Sequence, residues 1–415
     1  MQTKKTHWAS ILTLVTFCIS ILFLILIVLL LGISSAVDLF RQSGDPIAEM
    51  ISTTAFGFVT ILLVVCGWFV LQKAMGRTSA DQPFKQPFAD WQLILVFVLA
   101  MIGIASGGLA AYSEIRWLGW LIMPAATILV IVPPIWQIFG YGSRGLETGP
   151  RWRIFTILGL GMTVGPGIMI VLELVALLSV ALIGVALLSI LDPATFQDVM
   201  RLAKVVQTET DQEVILKLLA PYISNPIAIA AGIGYIALLV PLIEELLKPL
   251  AVWIFAMKIE TPSQGFVMGL LSGAAFALVE SLNASADGTM SWIAIVTVRA
   301  GTSILHMMAS GLVGWGIVSM FKEKRIGRFF AAYFAAVLIH GTWNASAAGV
   351  GIASLGQSIG KPEWLFNFAP AFVGGLFVMG IGMFIVLLAS NRKLQNIQES
   401  LITKDENKEE VQLTA

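Results

Sequence analysis

Two adjacent glutamates and a lysine lie within one helical turn of an apolar stretch, in the segment from Pro241 to Pro249 that reads PLIEELLKP. The residues at 226–243 and 250–257 are almost all apolar. On insertion scales, each ionisable side chain in a membrane span costs about 2.5–3.5 kcal/mol. A glutamate beside water can act as a general base, and a lysine three or four residues away can neutralise a second carboxylate. We therefore expect this turn to face a cavity and either to carry out chemistry or to move ions.

Later apolar stretches carry polar side chains that could be partners of this turn. Glu280 lies in one stretch, Arg299 and His306 lie in the next, and His340 and Asn344 lie in a third. His340 and Asn344 are four residues apart, so a helix places them on one face. Counting about 1.5 Å per residue from the ends of the stretches puts both histidines near the middle of the membrane. The sequence therefore predicts that these groups meet the glutamate–lysine turn at one depth.

Each of these groups also has a purely structural interpretation. Lys248 and one glutamate could form an ion pair that only joins helices, and Glu280 could be the ion partner of Arg299. A single histidine in a membrane is often a hydrogen bond between two helices. Two deep histidines, with carboxylates on neighbouring stretches, favour a functional site.

The elements that position these residues are predicted to be transmembrane helices. The chain has 415 residues, of which 57% are hydrophobic and 12% charged, and its mean hydropathy is +0.88. This composition excludes a soluble domain, and a net charge of zero gives no indication of nucleic-acid binding. We predict an all-α polytopic transmembrane helix bundle of about ten spans, at 11–32, 54–72, 91–112, 117–139, 160–190, 230–257, 264–284, 292–320, 329–350 and 366–390.

The orientation of the bundle follows from its basic residues. The segment from 154 to 191 contains Gly165, Pro166 and Gly167 and could cross once or twice. With one crossing, 17 Lys and Arg residues lie on the side of the two termini and six on the other side. The positive-inside rule then places both termini in the cytoplasm.

The predicted spans form three regions. Residues 1–153 form an N-terminal region of four spans, residues 154–390 form a core that carries the buried ionisable groups, and residues 391–415 form a polar cytoplasmic tail. Within the core, the outer segment 192–225 carries both signs of charge at helical spacing, so we expect an amphipathic interfacial helix there.

Glycines and prolines give further expectations about helix contacts. Gly265, Gly269 and Gly273 follow one another at intervals of four, so another helix can approach that face closely. Pro241 has no N–H group and leaves the carbonyl of Ala237 without its helical donor. Such a break is tolerated at membrane depth only beside protein or a water-filled cavity.

The motifs together resemble the PrsW family of intramembrane proteases, distant relatives of the CAAX prenyl endopeptidases and the bacteriocin-immunity-type CAAX proteases. The resemblance rests on four motifs in family order: EExxK at 244–248, FxxxE at 276–280, a histidine at 306 and HxxxN at 340–344. The CAAX relatives have a histidine where this chain has Glu280, which makes the PrsW pattern the better match. Residues 1–225 are outside the motifs.

The resemblance implies an endopeptidase that acts on membrane-protein or peptide substrates, as PrsW does on an anti-sigma factor in stress signalling. It implies that Glu244 or Glu245 activates water and that Lys248 holds the pair. His306 and His340 would bind a metal or polarise the scissile carbonyl, and Asn344 would donate to the oxyanion.

The sequence leaves open whether the site binds a metal ion. Glu280, His306 and His340 could form a His₂Glu site for Zn²⁺. A glutamate and histidine mechanism without metal is equally compatible with these residues, and the HExxH motif is absent. The alternative function is a secondary, proton-coupled transporter that uses the buried Glu and His residues. We expect an integral multi-pass protein of a bacterial plasma membrane, with no nucleic-acid partner.

Overall fold

A computed structural model describes residues 7–86, 88–209, 211–359 and 363–414. These residues form helices, apart from connecting turns and one isolated antiparallel bridge between Pro83 and Pro150. In chain order, the α-helices are Trp8–Arg41 (α1), Pro46–Ala74 (α2), Gln92–Tyr112 (α3), Arg116–Ser143 (α4), Arg151–Met162 (α5), Val164–Leu191 (α6), Pro193–Thr208 (α7), Gln212–Ile223 (α8), Pro226–Gly234 (α9), Val240–Leu247 (α10), Leu250–Phe255 (α11), Pro262–Ala284 (α12), Trp292–Glu323 (α13), Ile326–Ile359 (α14) and Glu363–Thr414 (α15). A π-helical turn, Tyr235–Leu239, joins α9 to α10, and a 3₁₀ turn lies at Thr78–Asp81.

The predicted fold class, an all-α polytopic membrane bundle, is confirmed. Nine helical stretches within the described residues are long and apolar enough to cross a membrane. The predicted ninth span corresponds to α14, whose 34 residues reach about 51 Å and are long enough to cross but less apolar. The segment from 151 to 191 forms a 12-residue helix followed by a 28-residue helix, and only the second is long enough to cross alone. The cytoplasmic placement of the termini stays a prediction.

The described residues divide into two compact units. The first unit contains the described parts of Met1–Pro166, Lys248–Ala336 and Gly382–Ala415, and the second contains those of Gly167–Leu247 and Val337–Ile381. Helices α14 and α15 contribute residues to both units. The regions drawn from the sequence, 1–153, 154–390 and 391–415, stay a prediction.

Helix α12 is the centre of the first unit. It is buried along almost its whole length and packs against α13, α4, α5 and α2. A Cβ atom at Gly269 would overlap the carbonyl of Ser310, and one at Gly273 would overlap the carbonyl of His306. At Gly265 it would lie 2.7 Å from the carbonyl oxygen of Gly314. The expected close approach of a helix to the glycine face is confirmed, and the partner is α13.

The second unit contains most of α6, helices α7 to α10, and parts of α14 and α15. The predicted outer segment 192–225 forms α7 and α8, and Asp192 caps α7 by accepting from the Thr195 N–H at 3.1 Å. None of the described side chains of α7 is buried within the structure. A helix with no buried side chain fits the expected interfacial helix, whose location in the membrane stays a prediction.

We expect Gly269→Leu to lower the free energy of unfolding by at least about 1–3 kcal/mol, because the side chain has no room beside the Ser310 carbonyl. The measurement is the thermal unfolding midpoint in detergent. Gly374→Leu on α15 is the matched control, since the described structure has open space around its Cβ position. Equal unfolding midpoints for the two variants would contradict this packing and would show that the glycine face is exposed to lipid.

Candidate active site

The turn before the two glutamates departs from regular α-helix. Residues Tyr235–Leu239 form a π-turn, and Pro241 lies just inside α10. Because proline has no N–H group, the helical hydrogen-bond pattern must change before it. Single π-turns inside α-helices occur frequently at functional sites, where they re-aim the side chains that follow. Glu244 and Glu245 come three and four residues after Pro241 in α10.

Helix α14 contacts this π-turn within the second unit. The amide of Asn344 donates to the carbonyl of Ile236 at 3.1 Å. Gly341 lies against Ala237, and a Cβ at Gly341 would overlap the Ala237 carbonyl. A backbone acceptor in the π-turn thus receives a donor from α14, and the absence of a side chain at Gly341 lets the two backbones approach. This contact places the neighbouring His340 beside α10.

His340 contacts both glutamates of α10. Its Nδ1 is 2.7 Å from Oε1 of Glu245, and its Nε2 is 3.8 Å from Oε2 of Glu244. All three side chains are buried. An ionised carboxylate only accepts hydrogen bonds, so a neutral ring in this contact carries its proton on Nδ1 and has a lone pair on Nε2. That lone pair lies on the side of Glu244.

The donor set of the second unit fits a divalent metal ion. One ligand atom from each of Glu244, Glu245 and His340 lies within 4.8 Å of the others. Two ligands that each lie about 2.0–2.2 Å from an ion can be 3.8 Å apart, as Nε2 of His340 and Oε2 of Glu244 are. Glu245 then has the position of the carboxylate that commonly orients a metal-binding histidine through its other nitrogen. Imidazole and carboxylate are both common ligands of divalent metal ions in proteins.

A second group of ionisable residues forms a chain in the first unit. Nζ of Lys248 is 2.9 Å from Nδ1 of His306, whose Nε2 is 2.7 Å from Oε2 of Glu280. The other oxygen of Glu280 accepts from Arg299 at 2.9 Å. An ammonium group only donates, so Nδ1 of His306 accepts and its Nε2–H donates to Glu280. Both ring nitrogens of His306 therefore have partners within this unit.

Two residues of α12 hold this chain in place. The ring of Phe276 lies 4.6 Å below the Lys248 ammonium and 5.0 Å from the ring of His306. The hydroxyl of Ser272 donates to the carbonyl of Lys248 at 2.5 Å. Ser272 is not among the site residues predicted from the sequence. Its spacing of four residues before Phe276 and eight before Glu280 is the signal that could have identified it, because a helix places all three on one face.

The structure divides the predicted site residues between the two units. Glu244, Glu245, His340 and Asn344 belong to the second unit, and Lys248, Glu280, Arg299 and His306 belong to the first. The ion pair of Glu280 with Arg299, considered from the sequence as a structural alternative, is present. Asn344 donates to the backbone in this structure, and its predicted role at an oxyanion stays a prediction. The tentative Zn²⁺ set of Glu280, His306 and His340 also stays a prediction.

Comparison with known families decides the enzyme class. The model of the PrsW family intramembrane metalloproteases matches residues 174–390, which is more than half of the chain. The chain belongs to the PrsW family. No curated protein and no solved structure matches it. The matched region includes all four motifs, so this PrsW-family chain is an integral multi-pass membrane peptidase rather than a transporter.

In this PrsW-family peptidase, we expect Gly341→Ala to lower activity by up to about 10²-fold. The added methyl group overlaps the Ala237 carbonyl, so α14 must move and His340 moves with it. The measurement is the initial rate of substrate cleavage in membranes. Gly351→Ala, on the same helix with open space around its Cβ in the described structure, is the control. Wild-type rates in both variants would contradict a positioning role for the contact with the π-turn.

Proposed function

We propose that the chain is an endopeptidase that hydrolyses peptide bonds of membrane-protein substrates with water activated by Glu244. The contact of His340 with both glutamates of the EExxK motif supports this proposal most directly. It combines a buried carboxylate, an oriented imidazole and a donor set that fits a metal ion. General acid–base catalysis by such a carboxylate typically contributes about 10²–10⁴-fold to the rate.

The two glutamates have different roles in this proposal. Glu245 holds Nδ1–H of His340 and so fixes the ring tautomer and orientation. Glu244 lies on the Nε2 side, where it takes the proton of the attacking water and returns it to the leaving amine. His340 through Nε2, together with Glu244, would hold the ion. When bound, an ion of the zinc type acts as a Lewis acid toward the scissile carbonyl.

The ionic chain of the first unit completes the family pattern. It contains two basic side chains, Lys248 and Arg299, and one carboxylate, Glu280, so its ionised groups favour a neighbouring anion. We assign the Lys248 ammonium, which His306 orients through Nδ1, to the stabilisation of negative charge that develops on the scissile carbonyl oxygen. Preorganised donors of this kind typically contribute about 2.7–4 kcal/mol each.

The substrate that the family resemblance implies is a membrane protein of the anti-sigma-factor type. We therefore place the enzyme in a bacterial plasma membrane, at a proteolytic step of stress signalling. The extensive apolar surface of the helices, including α1, α3 and α6, is compatible with a substrate that arrives through the bilayer.

In membranes, we expect the wild type to cut at least one member of a panel of tagged single-pass proteins. Glu244→Gln and His340→Ala should each reduce that cleavage by about 10²–10⁴-fold, because they remove the proton acceptor and the oriented imidazole. Glu49→Gln on α2 is the matched control, since it makes the same change at a half-buried glutamate outside the site. Cleavage at the wild-type rate by Glu244→Gln would overturn the proposed role of Glu244.

Removal of the metal provides a separate test. We expect a membrane-permeant chelator to abolish cleavage and added Zn²⁺ to restore it, while Glu245→Gln weakens metal binding by about 10–100-fold. The measurement is the metal content of purified protein, alongside the rate of cleavage. An active enzyme that contains no metal and resists the chelator would establish the glutamate mechanism without metal.

A further inference from the structure

An apolar groove with a lysine at its rim lies in the first unit, and none of the residues of the ionisable chain lines it. It has a volume of about 170 Å³ and lies between α12, α13 and α15. Its lining residues are Phe266, Leu312, Trp315, Ser390, Lys393, Leu394 and Ile397. Phe266 and Leu394 are buried, whereas Lys393 and Ile397 are exposed. The groove is therefore closed at its base and open along one side.

The helix ends place this groove near a membrane surface. Phe266 lies in the second turn of α12, which begins at Pro262. Trp315 comes eight residues before the end of α13 at Glu323. The loops at both positions are those that the sequence predicts to be cytoplasmic. Tryptophan is enriched at the interface between lipid tails and water, which agrees with this depth.

Two basic residues lie at the groove, Lys393 on its rim and Arg328 against the lining residue Trp315. The guanidinium group of Arg328 lies 5.2 Å from the centre of the Trp315 ring, and Arg328 also forms an ion pair with Glu323. The charged residues at the end of α13 and the start of α14 are Lys322, Glu323, Lys324, Arg325 and Arg328, and Arg392 and Lys393 lie in the middle of α15. The next acidic residue on α15, Glu399, is six residues, or about 9 Å, beyond Lys393. Basic residues therefore outnumber acidic ones in these segments of α13, α14 and α15.

We propose that this groove binds an anionic phospholipid, with an acyl chain along Phe266, Leu312 and Leu394 and the headgroup phosphate at Lys393. The apolar walls suit a hydrocarbon chain, and the rim lysine suits a phosphate. Anionic lipids of the cytoplasmic leaflet are attracted by about 1 kcal/mol for each nearby Lys or Arg. A peptide would need donors and acceptors for its backbone, and the described walls offer few.

The test is native mass spectrometry of the full chain after exchange into mixed micelles of phosphatidylglycerol and phosphatidylcholine. We expect the wild type to retain one phosphatidylglycerol with at least about five-fold preference, since one basic contact contributes about 1 kcal/mol. Lys393→Glu should remove that preference. Ser390→Leu should reduce retention of both lipids, because its side chain fills the groove without changing the charge.

Arg392→Glu is the matched control, because it makes the same charge change one residue away on α15 and outside the groove. Its preference should equal that of the wild type. If Arg392→Glu and Lys393→Glu have equal effects, or the wild type retains both lipids equally, the proposal is wrong. If glycerol phosphate alone displaces the lipid, the groove binds only an anion and not the acyl chain, and the lipid proposal is wrong. Thermal unfolding midpoints confirm that each variant is folded.

Discussion

An ionisable side chain inside an apolar bundle must have a partner, because the surrounding hydrocarbon cannot solvate it. Each of the two units satisfies this requirement with its own contacts. In the second unit, one imidazole accommodates two adjacent carboxylates. In the first unit, a chain of polar contacts runs from Lys248 through His306 and Glu280 to Arg299. The chemistry proposed for this peptidase depends on groups that these contacts hold in defined orientations.

The backbone is subject to the same constraint. A π-turn and a proline disturb the hydrogen bonds before Glu244, and a side chain on α14 satisfies one of the freed carbonyls. The family residue Asn344 therefore has a structural task in the second unit besides the role assigned to it at an oxyanion. A membrane enzyme can place irregular backbone at its centre only where a neighbouring helix supplies such donors.

Much of the fold was predictable, because apolar length and glycine spacing are direct consequences of the bilayer. The helical class, most of the spans and the glycine face of α12 follow from these patterns. The buried ion pair of Glu280 with Arg299 was one of the stated alternatives. What the sequence did not indicate was the π-turn, the hydroxyl of Ser272 on the Lys248 carbonyl, and the choice of Glu245 over Glu244 as the closer partner of His340. These depend on side-chain rotamers and on distances below 1 Å, which residue spacing does not determine.

The contact of the α12 glycines with the α13 backbone has a consequence for how the enzyme can move and diverge. Because Gly273 touches the carbonyl of His306, a shift of one helix along the other would drive backbone atoms into each other. We therefore expect α12 and α13 to move together as one rigid unit, and conformational change to occur elsewhere in the chain. The same contact fixes the number of residues between Gly273 and Glu280. An insertion between them would move the Glu280 carboxylate away from His306. Length variation in related chains should accumulate in loops and spare this segment.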